Sequence, residues 1–373
     1  MRNEIGFIAI GQAAGNIGLL LEEKGYNVLF INTSTEDLDL LKGAKHIYHI
    51  PGGEGCAKDR DKAKKHLAEH LDDLISVIRS KIPQKYVFCI FASGGGTGSG
   101  ISPFLLSILV DTFGAAEDDN KFFSEPEKYF GAITILPSDK EVLQPVTNSY
   151  NCCRELLDID DLGTIFFLDN NSMENKLTIN KIFVDDLDTI LRIPEEHKST
   201  KGNVDKSEVK KVLFETHGAG IITCQKRENS TSGQLIRAIR EKSIYAPIST
   251  TGTARYYIFS TTMEIDKNAF FTEFGEPLDT FQTYNEKKNI VLMTGLGYPK
   301  ERLGAIAKRV LATKEVIENQ YDSLYENDLS ADLQISRRRK KKPVVSKTDG
   351  GDSAAAPVTK KPSVRDILAG YKH

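Results

Sequence analysis

The run Ser93-Gly94-Gly95-Gly96-Thr97-Gly98-Ser99-Gly100 places five glycines and three hydroxyl side chains in eight residues. It follows the apolar stretch Tyr86–Ala92 (YVFCIFA), which reads as a strand, and leads through Ile101-Ser102-Pro103 into a helix-like stretch ending at Phe113. Glycine reaches φ > 0 and has no side chain, so backbone N–H groups can turn inward around an anion. The helix behind the loop aims its positive dipole end at the same point. The reading is a polyphosphate cradle. No Lys follows the glycines as in a P-loop. The run also stands too far from the first strand to be the dinucleotide fingerprint, which carries an acidic residue about 20 positions on.

The rest of the first 170 residues alternates strands and helices. Ile5–Ile10 reads as a strand, followed by Gly11-Gln12-Ala13-Ala14-Gly15-Asn16 and a helix to Lys24. Tyr26–Asn32 is a second strand. Asp59–Ser80 reads as one helix with Ala63, Leu67, Leu71, Leu74, Ile75 and Ile78 on its apolar face. Gly131–Leu136 and Thr164–Leu168 are further strands around a helix over 142–158. This rhythm predicts an α/β fold with a Rossmann-like, doubly wound parallel sheet. Ligands on such sheets sit at the carboxyl ends of the strands, so glycine-rich loops at positions 11, 51 and 94 can face one pocket. Beyond Lys198, strands at 218–224, 254–262 and 290–295 and a helix at 231–242 form a second, smaller α/β region. A long helical stretch runs from Pro299 to about Leu333.

Composition sets the outer limits. The chain has 373 residues and is 40% apolar, which suits a sizeable core. No run of about 18 apolar residues suggests a membrane span. Five cysteines without CxxC pairing favour reduced thiols and a cytoplasmic setting. The net charge of −3 conceals an asymmetry: residues 336–373 hold 11 Lys and Arg against 3 Asp and Glu, so a −11 body carries a +8 tail. The tail is rich in charge, Pro, Gly and Ser and reads as disordered. Its run Arg337–Lys342 is either a solvated linker or an electrostatic handle for DNA or a DNA-bound adaptor. His66 and His70 are four apart on a helix, but no acidic or Cys set accompanies them, so solvent-facing histidines are expected rather than zinc.

Letter by letter, GGGTGSG resembles the signature loop of the tubulin/FtsZ superfamily, which holds the phosphates of GTP. Gly11–Gly18 resembles the first nucleotide loop of that superfamily. The resemblance implies phosphate contacts at Gln12 and Ala13, a base contact from Asn16, and phosphate contacts from Gly94, Gly95, Gly96, Thr97, Gly98 and Ser99. Asn32-Thr33-Ser34 resembles the second loop, and Pro51-Gly52-Gly53-Glu54-Gly55 stands where the terminal phosphate is sensed. Glu141 resembles the acid that holds the ribose. Gln144 and Pro145 stand where a phosphate-binding Arg would follow, and Lys176 where an aromatic residue would stack on the base. Among Asn170, Asn171 and Asn180, one or more would read guanine through amide donors and acceptors.

Gly202-Asn203-Val204-Asp205-Lys206-Ser207-Glu208 resembles the catalytic loop of the same superfamily, which docks onto the GTP of the next subunit. The resemblance makes Asn203, Asp205 and Glu208 the catalytic set. The same spacing, D-x-x-E, is also a helix capping box, and both roles can hold. The resemblance implies domains at 1–178 (GTP binding), 179–198 (central helix), 199–298 (activation, with the catalytic loop), 299–335 (C-terminal helix) and 336–373 (basic tail). It implies GTP/GDP with Mg2+, and head-to-tail filaments. The GQAAGN loop, the long C-terminal helix and the basic tail resemble the partition tubulins of phages and plasmids. Their tail meets a small DNA-binding adaptor on a centromere-like site, and no membrane partner is implied. A cell-division scaffold with the same GTPase core and an NAD-dependent Rossmann enzyme are the competing readings.

Overall fold

Runs of five to seven buried residues build most of the sheet, and amphipathic runs cover it. The computed structural model describes residues 1–52, 55–114, 125–248 and 254–326, without the side chains of residues 314, 315 and 317–326. Residues 327–373, which include the predicted end of the long helix and the basic tail, lie outside the described residues, as do Gly53 and Glu54. Met1–Val310 form one compact unit, and a second begins at Leu311.

In chain order the elements are β1 (Ile5–Ile10), α1 (Gln12–Glu23), β2 (Asn27–Asn32), α2 (Thr35–Asp39), β3 (His46–His49), α3 (Arg60–Glu69), α4 (Leu71–Lys81), β4 (Tyr86–Ala92), α5 (Thr97–Phe113), β5 (Tyr129–Leu136), α6 (Leu143–Leu157), β6 (Thr164–Asp169) and α7 (Lys176–Glu196). There follow α8 (Lys206–Phe214), β7 (Gly218–Lys226), α9 (Ser232–Glu241), β8 (Tyr256–Thr261), α10 (Lys267–Phe274), β9 (Asp279–Tyr284), β10 (Lys288–Leu296) and α11 (Lys300–Glu326). The strands form one sheet in the order β3-β2-β1-β4-β5-β6-β7-β10-β8-β9.

The first six strands are parallel, in the doubly wound order predicted. Right-handed crossovers leave β1 in one direction and β4 in the other, so their helices fall on opposite faces. Accordingly α1 packs with α7, whereas α5 packs between α3 and α6. β7 joins this sheet by a short parallel pairing, Thr164 with Gly218 and Ile165 with Ala219. β10 then runs antiparallel to both β7 and β8.

Aromatic side chains bind the layers. Phe7, Phe88, Phe166 and Phe183 form a row with ring centroids 6.2, 5.9 and 5.5 Å apart, reaching from β1 across the sheet to α7. A Cβ on Gly131 of β5 would lie 2.4 Å from the Phe88 ring, so only glycine fits there. Such ring pairs add about 0.5–1.5 kcal/mol each beyond their burial.

The single helix predicted over 59–80 is two. His70 leaves helical geometry at φ −122°, ψ 17°, and its N–H closes α3 on the carbonyl of Leu67. Asp72 and Asp73 then supply negative charge to the first turn of α4. Leu67, Leu71, Leu74 and Ile78 are buried on both sides of the break, so the apolar periodicity passes through it unmarked. Among the described residues no helix is long and apolar enough to cross a membrane.

The start of α11 is pinned by charge. Arg302 donates to Asp169 at 2.8 Å, to Asp139 at 2.8 Å and to the Pro137 carbonyl at 2.5 Å. The side chains of Arg302 and Asp169 are 8% and 5% exposed. Breaking a buried pair from one side costs about 3–5 kcal/mol because the remaining charge is left without compensation. Arg302→Met is therefore expected to lower unfolding free energy by about that amount, checked by urea denaturation. An unchanged midpoint would show the pair contributes nothing.

Candidate functional site

Two helices begin without caps at one place. Gly11, at φ 84°, turns the chain out of β1 into α1, and its N–H bonds the Ile31 carbonyl of β2. Ser93–Gly96 turns it out of β4 into α5, with Ser93 bonded through its N–H and its hydroxyl to the Ile135 carbonyl. Neither α1 nor α5 has a side-chain cap or an acidic residue in its first turn. By contrast α2, α3, α7, α8, α9 and α10 are each capped by a side chain. The first N–H groups of α1 and α5 thus lack the usual partners, and their dipoles favour an anion.

Between these termini lies a cleft of about 300 Å³ lined by Gly11, Gln12, Ala13, Asn32, Ser34, Asp37, Gly55–Lys58 and Gly95–Gly98. It stands at the carboxyl ends of adjacent β1 and β4, where the order of the sheet reverses. Two larger cavities, of about 380 and 590 Å³, lie elsewhere and contain none of the glycine loops. Unpaired helix termini, not volume, assign the site to the smaller cleft.

The surrounding loops are fastened from behind. Asn32 accepts from the N–H groups of Thr33 and Ser34 and donates to Asp37. The buried Thr33 hydroxyl lies 2.7 Å from that of Thr97 and 3.3 Å from the Cys56 sulfur. Asn148 of α6, 3% exposed, donates to the carbonyls of Lys58 and Gly95, both at 2.9 Å, and accepts from Gln144. Pro145 packs on Gly94, where a Cβ would meet it at 3.2 Å. Gln144 and Pro145, which depart from the superfamily pattern, thus support the cradle from outside.

Pro103 shapes α5 from within. It has no N–H, so the Ser99 carbonyl one turn earlier has no helical donor. Arg60 fills that place with two hydrogen bonds, at 2.9 and 3.2 Å, and pairs with Glu155 at 2.6 Å.

Of the residues predicted for phosphate, Gln12, Ala13, Gly95, Gly96, Thr97 and Gly98 line the cleft. Gly94 lies under Pro145, and Ser99 is buried with its hydroxyl bonded to the Gly95 carbonyl. Asn16 is exposed on α1, Asn170 half-buried after β6 and Asn180 buried on α7, none of them in the cleft lining. Glu141 accepts from Lys176 at 2.9 Å and from the Ser138 N–H at 3.2 Å. Asn171 is taken up by reciprocal bonds to Asp139. Asp37, Ala57 and Lys58 were missed by the sequence motifs. Asp37 reaches the cleft from α2, and Ala57 and Lys58 from the loop before α3, for which residue type carries no local signal.

The acidic loop lies at the other end of the molecule. Asp205 caps α8 and Glu208 closes a complete capping box, with Asp205 Oδ1 accepting from the Glu208 N–H and Glu208 Oε2 from the Asp205 N–H, each at 2.8 Å. Asn203 and Asp205 are exposed. The hydrogen bonds from the Glu208 N–H and the Ser207 hydroxyl hold the Asp205 carboxyl below its ordinary range. Burial, with the charges of Asp205 and Asp279, pushes Glu208 up, outweighing the Asp205 N–H bond. Thr283 of β9 fastens the preceding turn by donating to the carbonyls of His197 and Gly202.

Lys206, beside Asp205, bonds Glu4 at 2.8 Å, just before β1, and the chain's amino group bonds Glu195 at the end of α7. The cleft opens at Gly11, beyond the far end of β1. At about 3.3 Å per residue, the seven steps from Glu4 to Gly11 span about 23 Å. The two halves of the predicted site are thus kept apart within one chain.

Residues 208–297 match the family described as tubulin-like protein TubZ, C-terminal domain. The chain is 36% identical over 302 residues to the tubulin-like protein TubZ of Clostridium botulinum C phage, covering 79% of this chain and 80% of that one. It is 26% identical over 273 residues to the tubulin-like protein CetZ of Pyrococcus abyssi, covering 65% and 68%. The crystal structure of Clostridium botulinum phage c-st TubZ superposes with a TM-score of 0.73 at 31% identity, covering 84% of this chain and 99% of that one. A helical model of the two-stranded TubZ-Bt filament shares the fold, with a TM-score of 0.69 at 18% identity over 90% and 94% of the two chains. On its identity to the phage protein across four-fifths of that protein's length, the chain belongs to the TubZ family of tubulin-like proteins, in the tubulin/FtsZ superfamily.

Proposed function

We propose that this protein is a GTP-hydrolysing filament protein whose active site is completed between successive subunits. One observation carries the reading: the anion-binding cleft and the acidic loop lie at opposite ends of β1. A contact that sets the loop of one subunit on the cleft of the next is heterologous. Repeated without closing, it generates a filament.

In this reading the backbone N–H groups at Gln12–Ala13 and Gly95–Gly98 hold the phosphates of GTP. Among the described residues no group of three or more His, Cys, Asp or Glu could hold a metal ion. Mg2+ would be carried by the phosphates and water, with at most one or two carboxylates, its common mode with nucleotides. The neighbouring subunit supplies Asn203, Asp205 and Glu208. The two carboxylates, fixed together at one helix start, orient the attacking water and accept its proton. Loss of the terminal phosphate then weakens the contacts that favour assembly. Glu141, Asn170 and Asn180 are the proposed ribose and guanine contacts. The domain limits follow the same reading: the cleft falls in 1–178, α7 spans most of 179–198, and the acidic loop opens 199–298. The biological role we assign is segregation of plasmid or phage DNA in the cytoplasm. Residues 336–373 are the proposed docking segment for a small DNA-binding adaptor, supported by their +8 charge.

The capping and catalytic roles of Asp205 separate cleanly. Asn caps a helix as well as Asp does, but it cannot supply the carboxylate. Asp205→Asn is expected to keep the fold, GTP binding and assembly while slowing hydrolysis by about 100-fold or more. Asp205→Ala and Glu208→Ala are expected to slow it too. Phosphate release at the parent rate from Asp205→Asn would overturn the catalytic assignment. Removing residues 336–373 is expected to leave polymerisation largely intact and to abolish capture of adaptor-bound DNA. Undiminished capture by the truncated chain would remove the tail from the account.

A further inference from the structure

The segment Gly55–Lys58 lines the cleft in an unusual backbone conformation. Ala57 and Lys58 both have positive φ, 46° and 64°, which costs backbone energy in any residue with a Cβ. Such outliers persist where surrounding contacts over-determine them, and they gather at ligand-binding sites. Here three contacts do so. Asn148 holds the Lys58 carbonyl at 2.9 Å, the Asp59 N–H bonds the Cys56 carbonyl at 2.7 Å, and Lys58 lies against Gly96, where a Cβ would stand 2.7 Å from the Lys58 Cα. The cradle and this segment are therefore built to fit each other.

The basic residues of this stretch have divided tasks. Arg60 is committed to the Ser99 carbonyl and Glu155, Lys62 to the Gly55 carbonyl, and Lys64 to Glu155. Lys58 is exposed and has no ion pair among the described residues. Among the described residues lining the cleft it is the one cation. The other charged group there, Asp37, is held by Asn32. Gln144 and Pro145, where the resemblance implies a phosphate-binding Arg, instead bond Asn148 and pack on Gly94.

We infer that Lys58 is the side chain that neutralises phosphate charge in this site, held over the α5 terminus by a strained backbone. The inference rests on the nucleotide-binding reading above and deepens it. A Lys at that point adds a charge-assisted hydrogen bond to a site otherwise made of backbone N–H groups.

Titration calorimetry of the full chain with GTPγS tests it. Lys58→Asn removes the charge but keeps a residue tolerant of positive φ, and Lys58→Gln removes it with a longer neutral side chain. Both are expected to bind GTPγS about tenfold or more weakly than the parent. Lys58→Arg, which bears the same backbone cost, is expected to retain most of the affinity. The gap between parent and Lys58→Asn is expected to narrow as salt is raised, a response a purely structural role would not give. Parent-like affinity in both neutral variants overturns the assignment alone. A parent chain that binds no GTPγS overturns the nucleotide reading and this inference with it.

Discussion

Glycine at the start of α1 and of α5 leaves two helix N-termini uncapped on adjacent strands. Free N–H groups aligned with two macrodipoles need a partner, and most other helices here find one in their own side chains. At this point the described residues provide no side-chain cap. Much of the surrounding structure serves that arrangement. Asn148 and Pro145 brace the cradle from α6, Thr33 meets Thr97 from the second loop, and Arg60 satisfies the carbonyl that Pro103 leaves open. Each of these contacts is made through a side chain or a carbonyl and occupies none of the N–H groups at the two helix starts.

The second constraint is distance. α7 runs 21 residues, about 31 Å at 1.5 Å per residue, from the carboxyl end of β6 to the amino end of β1. The acidic loop follows it and is fixed there by Lys206 to Glu4 and by Thr283. Internal motion of a side chain cannot bridge that span. A second molecule, placed head to tail, can. In the proposed function assembly and chemistry are one event, because the surface that would build the filament would also supply the acids. The capping box holds two carboxylates in a fixed relation on an exposed helix start, which is what the proposed catalytic role requires of it.

Much of this was legible in the sequence where burial is complete. β1, β2, β4, β5 and β6 announce themselves as apolar runs, and the glycine loops follow them. Asp205 and Glu208 were readable as a cap from spacing alone. Other features depend on tertiary context. β3 (HIYH) and the edge strand β9 (DTFQTY) mix polar and apolar residues and lack a clear period. The break at His70 lies within an apolar stripe that continues through it. Gln144 and Pro145 are departures from a pattern in the sequence, and their use lies in tertiary contacts of α6 behind the loop. Lys176 bonds Glu141, the proposed ribose contact, in an ion pair that no motif describes.

The account stands on a site divided between molecules, and GTP turnover per molecule measured against protein concentration, with light scattering in parallel, tests that most directly. A divided site requires turnover per molecule to stay near zero at low concentration and to rise together with scattering above a threshold. A turnover number that is constant under dilution, with no scattering, would mean that one chain contains a complete site and would contradict the account.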